Sequence, residues 1–304
     1  GEKNKAKEAR LRALTLYRNL GDVIAEAETL HNIGWLHFHF EDYQSAIEYH
    51  AQAAQVYRQG NHRVGEANSL RGLGRAYGAL GQTEKGIDLC RQAIALVRKS
   101  GEPAWEALAF YALAQLSFSS GRLAEARESL EAALQLHESV RANVANWELR
   151  AFHQASSHYY YLFYVDVLMR MHEQNKAAGY DAAALQANER SRARSLLGLL
   201  TEAHADLRRN IPSELARRER DLQQQINDKT EQQLSLKTKG QDAELGNQLK
   251  VLLFELRQVE DQIRAANPRF AALAAPKPLD LAEIRQQLDP GTLLLEYALG
   301  VDRS

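Results

Sequence analysis

Arg71 and Arg75 stand four residues apart, so on a helix they share one face and turn two planar guanidinium groups the same way. That arrangement suits a carboxylate held by bidentate hydrogen bonds. Histidines crowd the same region of the chain: His31, His37, His39 and His50. His31, Trp35 and His39 form an i, i+4, i+8 stripe, whereas His37 points to another face. Zinc needs three or four convergent ligands, which this spacing does not supply, so a surface or groove stripe is expected and no metal site. Cys90 is the only cysteine and has no activating base near it in sequence; it reads as a small core residue rather than a nucleophile. The run Gly72-Leu73-Gly74-Arg75-Ala76-Tyr77-Gly78 has the glycine content of a phosphate loop. Such loops need a strand before and a helix N-terminus after, and here the run lies inside a predicted helix, so close helix packing explains it. No catalytic residue and no cofactor follow from these groups.

Composition narrows the class further. The 304 residues are 45% hydrophobic and 25% charged, a balance that folds rather than stays disordered. With a net charge of −1 no global field recruits nucleic acid. Arg190, Arg192, Arg194, Arg208, Arg209, Arg217 and Arg218 make the middle of the chain basic, but without stacking aromatics they read as ion pairs along helices. The longest apolar candidate, residues 159–169, contains Asp166 and is too short to span a bilayer, so no membrane partner is expected. The opening Gly1-Glu2-Lys3-Asn4-Lys5 is no secretory signal. A single cysteine excludes an intrachain disulfide and fits a reducing, cytoplasmic setting.

The elements that position these residues recur. Ala53, Ala93 and Ala133 are 40 residues apart, and Tyr17-Arg18, Tyr57-Arg58 and Val97-Arg98 keep the same step, as do Glu26-Ala27, Glu66-Ala67 and Glu106-Ala107. Ala46, Gly86 and Ala126 match, as do Ile33, Leu73 and Leu113. A fixed period of this size marks a stack of repeats, whose extended face usually serves binding. Each unit reads as two helices, with Leu30, Ile33, Trp35 and Leu36 in the first and Tyr43, Ala46, Ile47 and His50 in the second. Gly60, Gly101 and Gly121 are expected to end helices in the left-handed conformation, and Pro103 to open one. Residues 5–19 align with residues 45–59, so the chain is expected to begin inside a second helix, with earlier repeats before it.

The pattern Leu30, Ile33-Gly34, Ala46, Ala53, then Leu70, Leu73-Gly74, Tyr77, Ala93, then Phe110, Leu113-Ala114, Ala126, Ala133 resembles the tetratricopeptide repeat. It departs from it in a period of 40, in His37 where a tyrosine is expected and in Gly86 where an alanine is expected. The resemblance implies a concave groove lined by the first helix of each pair: Glu28, His31, Trp35, Phe38 and His39; Asn68, Arg71 and Arg75; Tyr111, Gln115 and Phe118; and at its edge His158 and Tyr159. A protein or peptide partner would lie there, anchored on the aromatics. The plainer alternative has the aromatics packing on the next helix and the arginines solvated. The Lys and Asn positions of the acidic-tail clamp found in some chaperone-binding members are filled by other residues here.

Beyond residue 140 the register fades. Residues 141–172 read as one long helix and Asp181 as the N-cap of another reaching about residue 205, a closing pair spanning 141–206. Residues 207–266 are polar, and Leu245, Leu249, Leu252, Leu256, Val259 and Ile263 alternate spacings of four and three, which predicts an antiparallel coiled-coil hairpin turning near residues 237–241. Residues 267–304 carry a proline-punctuated linker, a short helix at 281–288 and an apolar strand at 292–299 whose sheet lies elsewhere. The expected fold is therefore all-α: a solenoid of 40-residue helix pairs over 1–140, the closing pair, the hairpin, and a truncated α/β tail.

The segment Glu189-Arg190-Ser191-Arg192-Ala193-Arg194-Ser195-Leu196-Leu197, the polar hairpin, and the stretch from Pro278-Leu279 to Leu295-Glu296-Tyr297-Ala298-Leu299-Gly300 together resemble the region that precedes and begins a CHAT domain, the caspase-like peptidase domain found behind tetratricopeptide repeats in many bacterial proteins. The family's catalytic His and Cys lie beyond this strand, and Cys90 matches neither. The resemblance implies a docking or regulatory arm of a cysteine peptidase, with the CHAT domain in cis and no catalysis in this chain. Two alternatives stay open: an oligomerisation scaffold whose 241–265 seam pairs between chains, and a fragment of a peptidase.

Overall fold

The computed structural model describes residues 2–143, 147–202, 211–235, 239–267, 279–289 and 291–292. These form twelve α-helices and one short 3₁₀ turn, and the described residues contain no strand. The first seven helices are α1 (Glu2–Leu20), α2 (Val23–His39), α3 (Tyr43–Gln59), α4 (Arg63–Ala79), α5 (Thr83–Arg98), α6 (Pro103–Ser119) and α7 (Leu123–Asn143). The expected strand at 292–299 and the linker at 268–278 fall outside the described residues.

A 20-residue beat underlies the 40-residue period. Gly21, Glu41, Asn61, Gly81, Gly101 and Gly121 all hold positive φ, and from α2 onward a new helix starts two residues after each. The chain closes most of these turns with a bond from the next N–H to the carbonyl five residues back: Asp22 to Tyr17, Asp42 to His37, His62 to Tyr57, Gln82 to Tyr77 and Arg122 to Ser117, at 2.8–3.1 Å. The residue between, at 22, 42 or 62, caps the next helix, with Asp22, Asp42 and His62 side chains accepting from Ala25, Ser45 and Gly65 N–H. Gly101 and Gly121 act as the sequence predicts. Gly60 does not: it keeps φ −80° and Asn61 makes the turn, because asparagine tolerates the left-handed region and sits on the beat.

Ion pairs follow the same period across the turns between repeats. Arg18 meets Glu26 at 2.8 Å, Arg58 meets Glu66 at 2.7 Å and Arg98 meets Glu106 at 2.9 Å. The arginine ends lie in water, so each pair contributes at most about 1 kcal/mol and acts mainly to fix the turn.

Small residues set the distance between helices. Ala27, Ala46, Ala53, Ala93, Ala126 and Ala133 are fully buried, and Leu30, Ile33, Ile87 and Leu130 fill the space they leave. The α4 and α5 backbones meet closely, since a Cβ on Gly74 would lie 2.8 Å from the Gly86 carbonyl oxygen and one on Gly86 would lie 2.5 Å from that of Gly74. Gly86 departs from the alanine expected there because no side chain fits.

The remaining helices are α8 (Trp147–Gln174), α9 (Tyr180–Glu202), α10 (Ser213–Ser235), α11 (Lys239–Ala266) and α12 (Leu281–Gln287), with the 3₁₀ turn at Lys176–Ala178. The chain divides into two compact units, one of residues 1–140 with 167–175 and one of residues 141–166 with 176–304. Of the single helix expected over 141–172, residues 141–143 belong to α7 and residues 147–172 to α8, while 144–146 lie outside the described residues. Asp181 is also corrected; Gly179, at φ 74°, makes the turn, α9 starts at Tyr180, and Asp181 sits in its first turn. In the second unit α10 packs on α11 through Leu222, Ile226, Leu256, Val259 and Ile263, and Lys229 donates to Gln248 near the turn. The seam predicted from sequence is thus used within the chain. Asp280 and Glu283 form a capping box on α12.

Gly86→Ala should lower the free energy of unfolding of the first unit by about 1–2 kcal/mol, overpacking outweighing the gain in helix propensity. Gly246→Ala, in α11 where nothing lies within 4 Å, should gain up to about 1 kcal/mol. Urea unfolding of both variants checks the pair; equal effects would contradict the backbone contact.

Candidate functional site

The first helices α2, α4 and α6 neighbour one another, so residues 40 apart come side by side in rungs. One rung holds His31, Arg71 and Tyr111; the next Trp35, Arg75 and Gln115; the third Phe38, Gly78 and Phe118. Nearly all the residues expected in the groove fall on these three rungs, with Asn68 and His39 beside them.

Trp35 is the centre of contact. Its ring lies 5.1 Å from the Arg71 guanidinium carbon and 5.0 Å from that of Arg75, which is also 4.9 Å from the Phe38 centroid. Trp35 packs edge-on against Phe38 at 5.4 Å and lies 6.1 Å from His39. Trp35, Phe38, Arg71 and Arg75 are all half-buried, and His39 is exposed. The stacked arginines contribute cation–π attraction, stronger here than on an open surface because water is partly excluded.

His31 departs from the expected surface stripe: it is buried, only 7% exposed. Its Nε2 accepts from the Trp35 indole N–H at 2.8 Å and lies 3.0 Å from the Asn68 amide nitrogen, while Nδ1 faces Ser69 Oγ at 3.5 Å. Two donors on Nε2 require the neutral tautomer with hydrogen on Nδ1. Burial, with the Arg71 charge adding to it, lowers the His31 pKa to about 3. Asn68 in turn accepts from Arg71 Nε and Nη2, which fixes that guanidinium against Trp35. His31 therefore acts as the hinge of the rung rather than as a ligand-facing group.

His50 belongs to this site although the sequence marks it only as an inward position shared with Cys90 and Leu130. It is fully buried, 5.0 Å from His31 and 5.2 Å from Trp35, and neither ring nitrogen has a hydrogen-bond partner. Gly34 and Gly72 make room for it, since a Cβ on either would lie 2.8 or 2.6 Å from its ring. Gly72 stands where the other repeats carry Asn32 and Ala112, and that irregularity beside an irregular histidine is the signal available in the sequence. Burial holds the His50 pKa well below its ordinary value, and His31, Arg71 and Arg75 push the same way.

Across from Arg75, α6 supplies Gln115. A cleft of about 260 Å³ is lined by Arg75, Gly78, Ala79, Gln115, Leu116 and Ser119. Tyr111 and Phe118 are half-buried on the same helix. His158 and Tyr159 belong to the second unit, where His158 Nδ1 lies 3.1 Å from Ser191 Oγ and both residues are exposed on α8. Cys90 is fully buried and its thiol is pushed up to about 12 by burial, which leaves it protonated and inert at neutral pH. Among the described residues no three His, Cys, Asp or Glu side chains converge as metal ligands, and no described helix is long and apolar enough to cross a membrane.

Helices packed in consecutive pairs on a 40-residue period, with small residues buried between them, define a helical-repeat array. Residues 2–59 and 65–139 match the family model of the tetratricopeptide repeat. No curated protein matches the chain at a significant level.

Unfolded, His31 and His50 take up protons near the ordinary histidine value of about 6.5; folded, they stay neutral far below it, His31 down to about 3. The unfolded chain therefore binds more protons below that value. Stability should fall as pH drops from about 6.5 towards about 3, by at most about 1.4 kcal/mol per pH unit for each histidine. Urea titrations across this window should show a shallower fall for His50→Leu than for the wild type, Leu130 being the residue at the equivalent place.

Proposed function

We propose that the chain is a protein–protein interaction scaffold that holds an extended segment of a partner along the face made by α2, α4 and α6. The observation that carries this reading is the half-buried Trp35–Phe38–Arg71–Arg75 cluster. It joins aromatic anchors to planar cations across two neighbouring repeats, the residue types that dominate binding energy at interfaces. The match to the tetratricopeptide repeat supports the same class, since such stacks bind through their extended faces. A cytoplasmic, reducing setting suits the lone buried thiol of Cys90. An oligomerisation scaffold built on the 241–265 seam finds Leu256, Val259 and Ile263 already packed on Leu222 and Ile226 of the same chain.

The finer reading makes this scaffold the docking arm of a CHAT-type caspase-like cysteine peptidase. Its support is the resemblance carried by residues 189–197 and 293–300, and it assigns no catalytic residue to this chain. The coding sequence beyond Ser304 tests it: a histidine followed later by a cysteine, each after a predicted strand, is the expected result, and their absence ends that assignment.

A photo-crosslinking residue placed at Tyr111 should capture a discrete partner in the native host. Arg71→Glu combined with Arg75→Glu should abolish that capture, while the far-UV circular dichroism stays that of the folded helical chain. Undiminished crosslinking in the double variant would remove the cluster from the binding face.

A further inference from the structure

Arg71 and Arg75 stack on the same indole, yet they are held differently. Arg71 donates from Nε and Nη2 to Asn68, so its donor edge is engaged. Arg75 lies against both Trp35 and Phe38, and among the described residues it has neither a hydrogen-bond acceptor nor a carboxylate within ion-pair distance. Stacking occupies the faces of a guanidinium and leaves its in-plane N–H donors for a ligand. A half-buried cation without a counter-ion is costly, and burial accordingly lowers the Arg75 pKa. The cleft that Arg75 lines is otherwise neutral, with Gln115 and Ser119 on its α6 side and Gly78, Ala79 and Leu116 completing it.

We propose that this cleft is a subsite for one acidic side chain, Glu or Asp, of an extended partner segment, with the carboxylate taken by the in-plane edge of Arg75. The assignment rests on the groove reading above and adds the chemistry of what the groove selects. A single carboxylate matches Arg75, the one cation among the described residues of the cleft lining. A phosphate, with about two charges, calls for more than one cation. A chain terminus would bring its carboxylate to the end of the segment, whereas an internal side chain lets the segment continue past the cleft.

The test uses the whole chain, immobilised, and four pools of random dodecapeptides, acetylated at the N-terminus. Three are C-terminally amidated and carry a fixed central Glu, Gln or phosphoserine; the fourth carries the central Gln and a free C-terminus. Retained peptides are sequenced and their Kd values are measured by fluorescence polarisation. The Glu pool should be retained selectively. Its best member should weaken roughly ten- to hundred-fold when the central Glu becomes Gln, or when the protein carries Arg75→Gln. Arg71→Gln should cost only about a few-fold on the same scale. Arg75→Met, which keeps the stack without the charge, should melt no lower than the wild type while losing the Glu preference, and the peptide-side comparison needs no variant at all. Equal retention of Glu and Gln pools, with binding lost in Trp35→Ala, would overturn the acidic subsite and leave the groove standing. Preference for phosphoserine or for free termini would overturn it in favour of another anion. If no pool is retained and Trp35→Ala changes nothing, the groove reading itself falls, and the subsite with it.

Discussion

The close contact between the α4 and α5 backbones is the constraint on which the rest depends. Helices that meet at glycine or alanine have no long side chains to absorb a shift, so their relative position is closely defined. Turns of equal length, each passing through one left-handed residue, then repeat that position every 20 residues. Rungs arise from this alone. Trp35 meets Arg75, and Arg75 shares a cleft with Gln115, because each lies 40 residues from the next on helices held in register. A face assembled this way needs no loop to position its side chains, which would lower the entropy lost on binding a ligand there.

The repeat carries most of the architecture in plain view, since a packing rule that recurs three times leaves the same small residues at the same offsets. Helix pairs, the buried Ala46, Ala53, Ala93 and Ala133, the inert Cys90 and the partnership of α10 with α11 all follow from residue spacing. What spacing does not reveal is which residue of a turn takes the left-handed conformation when glycine is absent. Gly60 is the better candidate by type and Asn61 by position, and the 20-residue beat decides for position. At the site, offsets identify Trp35, Arg71 and Arg75 as neighbours but do not tell a buried His31 from an exposed one. That depends on Asn68 and Ser69 of the next repeat reaching its two nitrogens, a contact between residues 37 and 38 apart.

The polar groups beneath the face divide the labour between its two arginines. A neutral His31 accepts from Asn68 and Trp35; Asn68 keeps its carbonyl for Arg71; Arg71 is thereby fixed as part of the wall. The arrangement works only while His31 is neutral, because an imidazolium has no lone pair to accept either donor. Burial and the neighbouring cations maintain that state, and His50, packed between Gly34 and Gly72, is held neutral by the same forces. Four basic groups therefore occupy one small volume with their charge confined to the two that stack on Trp35.

That confinement explains why the aromatic and the cationic features of the face are not separable. Without Trp35 and Phe38 the Arg75 guanidinium would be more fully hydrated, and an ion pair formed there would be worth little, as exposed pairs are. With the rings in place the cation is already stripped of much of its water before any ligand arrives, so an incoming carboxylate meets a stronger field at a smaller additional desolvation cost. Rigidity of the rungs adds to this, because the rings are held by helices rather than loops and do not have to be ordered on binding. The selectivity for charge proposed for this face would thus follow from how tightly the repeats beneath it are packed.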